Sequence, residues 1–207
     1  AFNDLGQASD ALERADWVLK KKPKDPEAAY ERAVALFELC RFGEAKAAFL
    51  AQVNDPERKA HAHHHLGLLL EREGKQPEAD AHFAKAQAAA PDDFPTPVLL
   101  SAKDFGAELE KALAALPADM KKDLVGVPVE AEDLPKTDDL TSGEPPLSPT
   151  ILGLFRGPPL GEPCDAADAA AAQAAKGQGC RSVALYRKNL GRAVKTKDEL
   201  IEQIRVT

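Results

Sequence analysis

The sequence predicts an α+β protein, with an N-terminal all-α repeat solenoid joined to a small α+β domain. Three observations predict it. Small and aromatic residues recur at an offset of 34 residues through the first part of the chain, at Ala11, Ala45 and Ala79. After Pro91 the recurrence stops, and an amphipathic helix followed by short alternating apolar segments replaces it. Aromatics are scarce at 5%, beside 44% hydrophobic and 29% charged residues, which favours small-residue helix packing over an aromatic-rich β-sandwich. Residues 1–93 read as repeats, 94–103 as a linker and 104–207 as the second domain. Neither part is too short to bury a core.

The repeat is carried by specific residues. The same offset aligns Ala15, Phe49 and Phe83, then Val18, Gln52 and Ala86, and places Ala33 on Gly67 and Leu36 on Leu70. Pro23 and Pro91 close their repeats at matching positions, and Pro56 falls one residue early. These spacings resemble the tetratricopeptide (TPR) motif, a stack of helix pairs in which small residues let helices A and B approach closely. Ala33 and Gly67 serve helix A, Ala45 and Ala79 serve helix B, and Phe49 and Phe83 fill the space between repeats. Arg41–Gly43 and Glu73–Lys75 are the expected turns, with repeat two at about 26–59 and repeat three at about 60–93. Repeat one is cut, since its helix A would begin before Ala1. A lone helix B cannot bury its face without a partner.

The resemblance implies that the module binds another macromolecule or docks onto the chain's own C-terminal half. In TPR proteins ligands lie in the groove lined by the A helices. Here those positions carry Glu27, Tyr30, Val34, Phe37, Glu38, His61, His64, Leu68, Glu71 and Arg72, the candidate sites for a protein or peptide partner. The Lys and Asn residues of the carboxylate clamp that grips chaperone tails are missing, which argues against that ligand. His61, His63, His64 and His65 invite a metal reading, because His61 and His65 are one turn apart. No Cys, Asp or Glu joins them at ligand spacing, so a solvated or groove-lining face is expected, with no metal or catalytic residue in the chain.

Charge and composition exclude other classes. A net charge of −7 and a pI near 5.3 provide no basic field for nucleic acid. Lys20, Lys21 and Lys22 form a basic run at an expected helix end, where cations suit the dipole. No stretch approaches the roughly 18 apolar residues of a membrane span, and no signal peptide is visible. Cytoplasmic location is therefore expected. The three cysteines contain no CxxC. Cys164 and Cys180 bracket a loop and are either a disulfide or, as the preferred reading, two free thiols. Asp165 and Asp168 read as solvated charges.

In the second half, Phe105, Leu109, Ala112, Leu113 and Leu116 mark an amphipathic helix that Pro117 breaks, and Ala118–Leu124 gives a short second helix. Val125, Val127 and Val129 alternate as a half-buried strand would. Residues 133–149, rich in Pro, Asp, Ser and Gly, read as loop. Ile151–Phe155 is a compact apolar segment ended by Gly157, Pro158 and Pro159. Ser182–Tyr186 reads as a strand, and Thr196 with Glu199 forms a capping box for the last helix.

Five pieces in this order, Phe105 to Pro117, Val125 to Glu132, Leu152 to Gly157, Ala184 to Arg187, and Asp198 to Thr207, resemble the front part of a minimal zincin-like metallopeptidase domain. In that family the last helix runs into an HExxH motif, whose histidines hold zinc and whose glutamate is the general base. No HExxH occurs in the sequence. The resemblance therefore transfers no catalytic or metal residue, and zinc is expected only if the motif comes after Thr207. Missing residues at both ends are the expected explanation, and a pseudo-enzyme that lost the motif is the rival. The functional expectation is a zinc-dependent peptidase whose repeats choose its substrate or partner, inactive as residues 1–207. A non-catalytic interaction adaptor is the alternative. Zincins also pair extended substrate with an edge strand, a role for which Ser182–Tyr186 is a candidate, against the alternative of a buried central strand.

Overall fold

The computed structural model describes residues 7–159, 162 and 180–207. It divides into two compact units, Ala1–Thr96 with Lys136–Pro149, and Pro97–Pro135 with Thr150–Thr207. The described residues are helix-rich, with one small sheet.

The first unit holds α1 (Ala8–Lys21), α2 (Pro26–Glu38), α3 (Phe42–Leu50), α4 (Lys59–Arg72) and α5 (Gln76–Ala89), each packed on the next in sequence. Asp25 caps α2, its carboxylate accepting from Ala28 N–H at 3.0 Å, with Pro26 preset at the first helical position. The ends of α2 and α4 repeat one device. Arg41 N–H donates to Leu36 O, and Lys75 N–H to Leu70 O, both at 2.9 Å. The left-handed residue this closure requires is Gly74 (φ 75) after α4 but Cys40 (φ 56) after α2. Ala33, Ala45, Phe49, Ala79 and Ala86 are fully buried. Gly67 supplies the small position of α4, since a Cβ there would lie 2.6 Å from the Phe83 ring. The helical N-terminal part thus fits a repeat.

The second unit contains α6 (Ala102–Ala115), α7 (Ala118–Asp123), β1 (Val129–Glu132), β2 (Gly153–Arg156), β3 (Ser182–Tyr186), α8 (Arg187–Ala193) and α9 (Lys197–Val206). Ser101 and Thr196 cap α6 and α9, accepting from Asp104 and Glu199 N–H groups. Glu199 in turn accepts from Lys195 N–H at 2.7 Å. Phe105 and Leu109 of α6, Leu185 of β3, Leu190 of α8, Val194, and Leu200 and Ile204 of α9 form one core. Arg187 fastens the segment before α6. It donates to Leu100 O at 2.6 Å and pairs with Asp133, also at 2.6 Å. Beside it Val98 N–H donates to Gly191 O, an approach so close that a Cβ on residue 191 would meet Val98 O at 2.5 Å.

Two expectations are corrected here and one open alternative is decided. The strand expected over Val125–Val129 begins only at Val129. Gly126 turns the chain at φ 77, Val127 N–H bonds Leu124 O, and Val125 is 79% exposed. The sheet order is β1-β3-β2, so Ser182–Tyr186 is the central strand and not an edge. It runs parallel to β1, with Val129 opposite Val183, and antiparallel to β2, with Gly153 opposite Leu185. Finally, Cys180 is disulfide-bonded and Cys40 is free, against the preferred reading of a free thiol at Cys180. Cys164, Asp165 and Asp168 lie outside the described residues.

Candidate functional site

The candidate groove residues of α2 and α4 fall into three groups. Phe37, Leu68 and Glu71 lie in the interior of the first unit. Phe37 meets Phe42 and His65 edge-on at 6.0 and 5.3 Å, and Val34 packs half-buried against the same core. Tyr30, His61 and His64 form an aromatic group. Tyr30 meets His61 edge-on at 5.7 Å, His61 meets Phe94 at 5.0 Å, and His64 stacks on Phe94 at 4.6 Å. Glu27, exposed, pairs with Arg58, whose guanidinium lies 5.0 Å above the Tyr30 ring.

Glu38 and Arg72, with Cys40, make the third group, and the segment Lys136–Pro149 lies against it. This segment, read from sequence as plain loop, makes one helical turn at Thr137–Leu140. Leu147 N–H closes the segment back onto that turn, donating to Leu140 O at 2.8 Å. Leu140 is 0% exposed, and Pro149 is buried. Arg72 donates to Thr137 Oγ1 at 3.5 Å while its guanidinium stacks 4.5 Å above Phe42. The Cys40 thiol faces Leu147 O at 3.8 Å. Burial pushes the Glu38 carboxyl up, opposed by a hydrogen bond with Ser148. Burial likewise raises the Cys40 thiol, opposed by Arg72 and reinforced by Glu38.

The histidine run does not form one cluster. His65 turns inward, stacks on Phe49 at 4.4 Å and bonds the His61 carbonyl through Nδ1 at 2.9 Å. His63 points to α5, where its Nδ1 lies 3.0 Å from His82 Nδ1. Burial lowers both, helped at His63 by His82 and Lys85, and at His82 by Lys85 against Glu78. Rings at helical spacing fill space between helices here. Sequence reasoning missed Phe94, Cys40, His82 and Leu140. An apolar residue alone in a polar stretch, as Leu140 and Phe94 are, was the available signal.

In the second unit, Arg156 of β2 pairs with Glu132 of β1 at 2.8 Å and reaches the Tyr186 hydroxyl of β3 at 3.5 Å. With β3 central, β1 and β2 are the outer strands among the described residues. Phe155 of β2 is partly exposed. Among the described residues no group of three or more His, Cys, Asp or Glu is placed to hold a metal ion, nor is any helix long and apolar enough to cross a membrane.

Residues 124–207 match the model of the zincin-like metallopeptidase family. The matched span takes in the whole sheet with α8 and α9 and leaves the helical repeat outside it. No curated protein matches the chain. Zinc belongs to complete members of such a family. The residues present do not fit it, because the sequence lacks HExxH and the described side chains offer no ligand set.

Proposed function

We propose that the second unit is the front part of a zincin-like metallopeptidase scaffold, and that the helical unit is a TPR-type module selecting a protein or peptide for it. The observation that carries this reading is the family match over 124–207, a span in which α9 is the last helix. In this reading the described residues serve substrate alignment and partner binding. β1 and β2, the outer strands among the described residues, are the candidates to offer backbone groups to an extended peptide. The net charge of −7 supports a protein ligand over a nucleic acid or an anionic membrane. The disulfide at Cys180 weighs against the cytoplasmic expectation, since such bonds persist in oxidising compartments.

The test is to express the chain with whatever its gene encodes after Thr207 and assay cleavage of an unstructured protein with and without a chelator. Cleavage that the chelator abolishes, and that residues 1–207 lack, is the expected result. A stop codon directly after Thr207 would instead favour an adaptor without catalysis.

A further inference from the structure

Resting on the reading of the repeats as a peptide-binding module, we propose a receptor face at the C-terminal ends of α2 and α4. It takes turn-forming, acidic, proline-containing protein segments with spaced leucines, and Lys136–Pro149 is its resident intramolecular ligand.

The geometry is that of a ligand crossing successive repeats. Glu38 and Arg72 occupy equivalent positions under the offset of 34 that aligns Ala45 with Ala79. The segment touches both, Arg72 through Thr137 and Glu38 through Ser148, and meets Cys40 through Leu147 O. At its Glu144-Pro145-Pro146 stretch it borders a cavity shared with Gln7, Ser9 and Asp10 at the start of α1. One short stretch of chain therefore visits three helices of the repeat. Its chemistry defines the ligand class, with Asp138, Asp139 and Glu144 against Lys136, leucines at 140 and 147, and paired prolines between them.

The hold is uneven along the segment, with Leu140 and Pro149 both buried. Leu140 is fully buried, but Leu147 is 37% exposed. The polar contacts to Arg72 and Cys40, at 3.5 and 3.8 Å, are at the long end for their atom types. A tethered segment presents itself at an effective concentration on the order of millimolar, so it wins by proximity even where each contact is weak. An external segment of the same chemistry binds only through the fraction of molecules in which the face is open.

The experiment uses a fluorescein-labelled synthetic peptide of residues 136–149 and the full 207-residue chain, read by fluorescence anisotropy. The wild type should bind the peptide weakly. Leu140→Asp, which expels the resident segment, should tighten the apparent Kd by about tenfold or more. Adding Glu38→Ala should return part of that gain. Hydrogen exchange provides the folding control, with the Leu147 amide losing protection in the variant while α2 and α4 keep theirs. Should Leu140→Asp melt these helices, the half-exposed Leu147→Asp decides by the same readout. An opened, folded chain that takes the peptide no better than wild type overturns the proposal. So do concentration-dependent wild-type dimers that fail to take the peptide, for the occupant would then be a second copy's segment. Chelator-sensitive cleavage by the extended chain alongside either result would end this proposal and leave the peptidase reading standing.

Discussion

The imidazole of His65 stacks on the Phe49 ring, with centroids 4.4 Å apart and planes 15° from parallel. Burial pushes this histidine down to about 4, so it works inside the repeat as a neutral ring. The unfolded chain takes up the proton near pH 6.5 and the folded chain only near 4. The folded state's advantage is therefore complete above 6.5 and lost as pH falls toward 4, to a limit of about 3 kcal/mol. His63 and His82 act in the same direction. Thermal melts of wild type and His65→Phe between pH 7.5 and 4.5 check this. The variant should lose clearly less stability across the range, and parallel losses would place the sensitivity elsewhere.

Phe49 itself is 0% exposed and joins α3 to Tyr30 and His65. Phe49→Ala removes a ring that no neighbour can replace and should cost about 3–5 kcal/mol. Urea titration followed by helical circular dichroism measures it. A transition overlaying the parent's would remove Phe49 from the core.

Ala184 pairs with Glu130 on one side and Leu154 on the other, at 0% exposure. Proline there removes a donor from the middle of the sheet and forces its ring among paired strands, at a cost of about 3 kcal/mol or more. Ala184→Pro should abolish the folding of the second unit, read from loss of protected amides in β1, β2 and α9. A folded variant with those amides protected would return β3 to an edge.

How far these arrangements were legible depended on how local their causes are. Ala33, Gly67, Ala45 and Ala79 announce close helix approach because a repeat writes the same steric need twice. The capping pair Thr196 and Glu199 is equally local. By contrast, Val183 and Leu185 read the same in a central or an outer strand, since alternation records burial of faces and says nothing of how many edges are paired. Val125 and Val127 looked strand-like until Gly126 turned the chain at φ 77. Along α2 and α4, side-chain type did not separate the buried positions from the accessible ones, since Phe37, Leu68 and Glu71 lie in the interior. The stacking of Phe94 on His64 and the burial of Leu140 were not legible, because each is a single apolar residue in a polar stretch.

The most direct test of the scaffold reading is a calorimetric zinc titration of residues 1–207 beside the chain extended through whatever its gene encodes after Thr207. The shorter chain should show only weak binding of the kind a partly buried histidine pair such as His63 and His82 gives. The extended chain, if it carries HExxH, should show one tight stoichiometric site. A tight stoichiometric site in residues 1–207 itself would contradict the account.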